Sequence, residues 1–111
     1  MQQLTPAEFK ANRERMGLST RWLATRWNTQ EQSVQRWERH RQPPPEFVED
    51  LLDLVDLFDA QVVMYLNSAH LEYVVPRVSV VDGYPAQWWR AAALEASRHT
   101  GVTITYHLGD L

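Results

Sequence analysis

The chain contains no cysteine among its 111 residues. It can therefore build neither a disulfide framework nor a thiolate metal site. A reducing, cytoplasmic compartment fits that absence. No apolar run approaches the roughly 18 residues needed to span a bilayer, so no membrane partner is expected. The opening MQQLTPAEFK lacks the basic and apolar regions of a secretory signal, and none is expected. The four histidines, His40, His70, His99 and His107, are scattered without ligand spacing. No metal site and no cofactor is expected from them. Paired carboxylates, a nucleophile–base set and a glycine-rich phosphate loop are all missing in any context that would support chemistry. The chain is not expected to be an enzyme. Internal repeats and low-complexity segments are absent as well.

What is present points to a folded protein. Hydrophobic residues make up 44% and there are five tryptophans, too apolar for disorder. The length suits one domain or a small domain with an appendage. Net charge is −3, but its distribution matters more. Residues 1–45 carry eight basic side chains against four acidic ones. Residues 46–66 carry six acidic side chains and no base. A basic N-terminal end either meets a polyanion or is an ordinary solvated surface.

Thr5-Pro6-Ala7-Glu8 is a helix start, with Thr5 as cap and Glu8 closing a capping box. Phe9 and Met16 follow at helical spacing, and Gly17 is placed to end the helix with positive φ. Ser19 caps a second short helix whose apolar residues are Leu23, Ala24 and Trp27. Asn28 tolerates left-handed backbone and predicts a tight turn. Thr29-Gln30-Glu31-Gln32 reads as a second capping box opening a third helix that runs to about His40 or Arg41. Val34 and Trp37 face inward. Gln32, Gln35, Arg36 and Arg39 form one outward stripe. Pro43-Pro44-Pro45 ends that helix.

Pro45 to about Leu66 is one long helix with an acidic stripe and a wide apolar one, which includes Leu57. The acidic stripe from Glu46 to Asp59 reads as a solvated face. Leu71 to Val81 is rich in β-branched residues, and Pro76 makes it an edge or broken strand. Pro85 opens an amphipathic helix on which Trp88, Trp89, Ala92, Ala93 and Ala96 share a face, and Gly101 ends it. Val102, Ile104, Tyr106 and Leu108 then alternate with polar residues, predicting a strand with one buried face. Two strands make a marginal sheet that gains most by pairing with a second copy. The expected fold class is α+β: a helical domain over residues 1–66 and a β-α-β dimerisation element over 67–111. Phe58, Val62, Trp88, Trp89, Ile104 and Tyr106 are the expected dimer interface.

Three short helices with a tight turn between the second and third describe a helix-turn-helix. Its third helix carries the side chains that read a DNA major groove, since Gln pairs with adenine and Arg with guanine. Gln32 serves as either a base contact or the capping partner of Thr29. Gln35 and Arg36 lie on the same stripe. Arg39 and Arg41 follow as phosphate contacts. Ser19, Arg21 and Thr29 stand near the N-termini of the second and third helices, where backbone N–H groups also suit phosphate oxygens. Trp22 lies off the apolar face, either at a rim or near the DNA backbone.

The segment from Phe9 to about Leu52 resembles the Cro/C1-type helix-turn-helix family of phage and bacterial repressors, often called XRE. Arg13, Gly17-Leu18-Ser19, Leu23-Ala24 and Ser33-Val34 with Trp37-Glu38 before the prolines carry the resemblance. It implies that Thr20 touches phosphate or an outer base and that Gln30, Glu31, Gln32 and Arg36 occupy base-reading positions. It implies a buried salt bridge between Arg13 and Glu38, and a small residue at Ser33 that permits close packing or donates to phosphate. Two positions depart from the family. His40 stands where Gly is frequent, and Glu31 stands where Gln is favoured. A glutamate accepts from cytosine N4 or is repelled by phosphate. The whole-chain layout, with Trp89-Arg90 in the last helix, is similar to the autorepressors associated with anti-CRISPR operons. That resemblance implies a dimer binding an inverted repeat of double-stranded DNA. An antitoxin-like protein whose C-terminal part binds a partner protein is the alternative, and RNA binding through the same basic surface stays open.

Overall fold

The structure is a computed structural model and describes residues 3–110. Met1, Gln2 and Leu111 lie outside the described residues, and with them the first two residues of the segment read for a signal. Among the described residues, five α-helices and two strands make a mixed α+β architecture. The chain divides into two compact units, Met1–Val55 and Asp56–Leu111. The division falls inside the longest helix rather than at its end, where the sequence pattern places it. The reason is that the second half of this helix supplies Phe58 and Val62 to the C-terminal core.

In the first unit, α1 spans Pro6–Arg15, α2 spans Thr20–Arg26 and α3 spans Glu31–Trp37. The α1 capping box is complete. Thr5 Oγ1 accepts from the Glu8 N–H, and Glu8 Oε1 accepts from the Thr5 N–H. Gly17 takes φ of 68° just past the cap, and Ser19 caps α2 by accepting from the Trp22 N–H. Asn28 adopts φ of 50°, the left-handed turn its side chain tolerates. Phe9, Met16, Leu18, Leu23, Val34, Val48 and Leu51 fill the core. Trp27 stacks on Phe47 at 5.0 Å, and Phe47 also meets Trp37 at 5.0 Å. Such pairs stabilise by about 0.5–1.5 kcal/mol beyond their buried area.

Two expectations for α3 are corrected. Its cap is Gln30, with no side-chain hydrogen bond, rather than Thr29. The Thr29 N–H donates back to the Ala24 carbonyl, so Thr29 still belongs to the preceding turn and no second capping box forms. The helix also stops at Trp37 instead of His40 or Arg41. The N–H groups of Arg39, His40 and Arg41 all donate to the Arg36 carbonyl, winding the chain tightly before the extended approach to proline. Among the described residues, positive φ in a non-glycine is confined to Asn28 and Asp82, so His40 leaves α3 without a left-handed residue.

α4 spans Pro45–Leu66. In the second unit β1 covers Glu72–Val75, α5 covers Ala86–Thr100 and β2 covers Thr103–Tyr106. The strands run parallel in the register Glu72↔Thr103 to Val75↔Tyr106. A parallel pair needs a crossover, and α5 supplies it. Gly101 ends α5 with φ of 75°. Phe58, Val62, Tyr73, Val75, Trp88 and the alanines Ala92, Ala93 and Ala96 form the second core. Tyr84 stacks on Trp88 at 4.2 Å.

The first strand is shorter than the run Leu71–Val81 predicts. Pro76 follows its last residue, having no N–H for the ladder. Beyond it the N–H groups of Arg77, Val78 and Ser79 donate to the Asp110 carboxylate instead of a strand. The last strand also lacks its expected buried face: Ile104 is half-buried, while Tyr106 and Leu108 are exposed. No helix among the described residues is long and apolar enough to cross a membrane.

Candidate functional site

The site begins with how α3 is held. Val34 and Trp37 are buried on its inner side. Glu38, at its C-cap, accepts from Arg13 of α1 through two bonds, Nε–Oε2 at 2.5 Å and Nη2–Oε1 at 2.9 Å. Arg13 Nη1 also donates to the Leu18 carbonyl at 2.9 Å. The side chains are only 14% and 6% exposed, so the pair is largely desolvated. The Glu38 hydrogen bond, opposed by burial, raises the Arg13 guanidinium above its ordinary value. α1, the turn before α2, and α3 are thereby tied at one point.

With its inner side fixed, α3 turns Gln32 and Arg36 to solvent one helical turn apart. Arg36 Nη2 donates to Ser33 Oγ at 3.2 Å, which orients the guanidinium and occupies the serine. Gln30 is exposed at the cap. Glu31 and Gln35 are half-buried, and Gln35 Nε2 donates to Glu31 Oε1 at 3.3 Å. Arg39 and Arg41 are exposed beyond the helix end. A polar cleft of about 250 Å³ collects Lys10, Thr20, Gln35 and Arg39 beside the Arg13–Glu38 pair.

Other expected positions have partners within the chain. Arg21 Nε lies 3.6 Å from Glu31 Oε2, an ion pair between α2 and α3. Ser19 Oγ accepts from the Trp22 N–H as the α2 cap. Thr29 is half-buried in the turn. Trp22 is half-buried with the Arg26 guanidinium 5.7 Å from its ring.

Sequence reasoning missed a second tether. Asp50 accepts from Arg26 through Nε at 2.7 Å and Nη2 at 3.2 Å, and from the Trp27 indole N–H at 2.6 Å. The Arg26 bond, opposed by burial and helped by Trp27, holds its carboxyl below the ordinary value. Asp50 is thus not part of a merely solvated acidic stripe. No local pattern signals this contact, because its partners lie more than twenty residues apart in the chain.

In the second unit, the expected interface residues divide. Phe58, Val62 and Trp88 are buried in the unit's own core. Trp89 is half-buried, its indole N–H donating to the Val81 carbonyl at 3.1 Å, so it is not a core residue. Ile104 and Tyr106 line a largely apolar groove of about 550 Å³ with Val75, Leu94, Arg90 and Thr105. Every large apolar side chain that is exposed among the described residues, from Leu57 to Leu108, belongs to this unit. Neither a protein-family model nor a curated protein matches the chain in sequence.

Proposed function

We propose that this chain is a sequence-specific regulator of transcription that binds double-stranded DNA as a homodimer, α2 and α3 acting as a helix-turn-helix. The observation that carries the reading is the division of α3. Val34, Trp37 and the Arg13–Glu38 pair hold it from within, while Gln32 and Arg36 stand exposed on one outer stripe. Base recognition needs side chains on a rigid element, with donors and acceptors aimed outward. Arg36 offers the guanidinium fork that suits guanine, and Gln32 the amide that suits adenine. Arg39 and Arg41, beyond the helix end, supply phosphate contacts that set register. Residues 1–45 carry the excess of basic charge that such binding uses.

Dimerisation through the second unit is part of the proposal. A two-stranded sheet leaves two free edges, and exposed apolar side chains cluster beside β2. Leu94 is 53% and Tyr106 46% exposed at that groove. A second copy would bring the same edge and the same apolar surface, and twofold symmetry would match an inverted repeat. Two α3 helices would then enter successive major grooves about 34 Å apart. Repression of its own operon is the role this arrangement fits.

Selection of bound sequences from a random double-stranded DNA pool tests the reading, with sedimentation of the free chain alongside. The expected result is an enriched inverted repeat and a dimer. Enrichment of no sequence would remove the DNA-reading role. A one-to-one complex with another protein in place of the dimer would assign the second unit to a partner chain.

A further inference from the structure

Glu31 is the residue least suited by charge to a surface that meets phosphate. The structure shows that it does not stand alone. Arg21 from α2 lies 3.6 Å from Glu31 Oε2, and Gln35 donates its amide nitrogen to Glu31 Oε1 at 3.3 Å. Three side chains from two helices therefore form one cluster, with a neutral net charge.

The polarity of the cluster follows from its bonds. A lone carboxylate beside the DNA backbone is repelled, and an adjacent guanidinium cancels that repulsion. The cancellation strengthens when DNA covers the surface and excludes screening ions. With Gln35 Nε2 turned to Glu31, the Gln35 carbonyl oxygen lies on the other side of its amide carbon. On α3 itself the cluster thus presents the Glu31 carboxylate and the Gln35 carbonyl oxygen, which accept hydrogen bonds, while the remaining donors sit chiefly on the exposed Arg21 guanidinium of α2. In the major groove, cytosine presents the N4 amino donor that carboxylates accept from. Adenine places its N6 donor beside the N7 acceptor, which a carboxylate meets unfavourably. Thymine offers only an acceptor and a methyl group.

We propose that Glu31 is a specificity determinant that selects cytosine through its N4 amino group, with Arg21 and Gln35 as positioning residues. The proposal rests on reading α3 as the base-contacting helix. It removes Arg21 from the phosphate contacts and gives it the task of neutralising Glu31.

Binding-site selection with the wild-type chain and with Glu31→Gln tests it directly. The wild type should enrich cytosine at one position of each half-site. Glu31→Gln should lose that enrichment, with a roughly tenfold smaller preference for the cytosine-bearing site over its variants. Arg21→Gln should weaken binding to every sequence, and Arg21→Gln/Glu31→Gln should recover it, because no carboxylate is left to neutralise. If Glu31→Gln enriches the same bases as the wild type, the inference is overturned while the reading of α3 stands. A double variant as weak as Arg21→Gln would overturn it equally, returning Arg21 to phosphate. A wild-type chain that enriches no sequence overturns both readings together.

Discussion

Arg13 and Glu38, separated by 25 positions in the chain, meet in a two-bonded ion pair that is nearly closed to solvent. Removing one member leaves the other charge buried without a partner. Arg13→Met should therefore destabilise the chain by about 3 kcal/mol. Arg13→Met/Glu38→Leu should lie closer to the wild type than that single variant, because no charge is left stranded. Urea titrations of the variants measure both values. A single-variant loss below about 1 kcal/mol would place the pair with ordinary surface bridges.

Asp50 makes a pH-dependent contribution. Its folded carboxyl titrates below the ordinary value, chiefly because Arg26 donates to it. The resulting stabilisation is complete above about pH 4 and is lost as the pH falls through the lower folded value. Both partners are about one-third exposed, so the effect should not exceed about 1 kcal/mol. Asp50→Asn keeps an acceptor for Trp27 but removes the charge. Urea midpoints between about pH 2 and pH 6 should fall less steeply for this variant than for the wild type.

Asp110 holds the segment after β1. Its carboxylate accepts from the N–H groups of Arg77 at 2.6 Å, Val78 at 2.9 Å and Ser79 at 3.0 Å, and from Ser79 Oγ at 2.7 Å. Those bonds, Ser79 foremost, keep its carboxyl well below the usual range, so the clasp should persist into mildly acidic solution. Asp110→Ala should raise hydrogen exchange at the amides of Val78 and Ser79 and leave the core around Leu51 unchanged. Equal exchange in both chains would mean that the clasp does not order this segment.

Arg36→Ala tests the reading of α3 at its exposed basic side chain. Affinity for the selected site should fall by about 1–3 kcal/mol, and preference at one base pair should relax. Affinity for random DNA should fall far less. Binding assays on the selected and a scrambled duplex separate these outcomes. Unchanged binding to both would exclude Arg36 from the interface.

The elements were legible in the sequence wherever local chemistry decides them. Thr5 with Glu8, Gly17, Ser19, Asn28 and Gly101 marked caps and turns that appear where expected. Less legible were features that depend on competition between neighbours. Thr29 had the right residue type for a cap, but the Ala24 carbonyl engages its N–H first. The run through Val78 to Val81 has strand composition, yet its leading N–H groups go to Asp110.

By itself, the sequence determined the order of the helices, the start and stop of α1 and α5, the inward placing of Val34 and Trp37, and the concentration of basic charge in residues 1–45. These follow from hydrophobic period, capping chemistry and composition, all of which act over a few residues. Only the tertiary structure decided that Asp50 belongs to Arg26 and Trp27, that Asp110 caps the chain beyond Pro76, and that Arg21 and Gln35 share Glu31. Tertiary packing also decided that Phe58 and Trp88 fill a core while Tyr106 stays open. Apart from the Gln35–Glu31 bond, which spans one helical turn, these choices join or separate groups on different elements, and side-chain pattern carries no measure of their proximity until the backbone has folded.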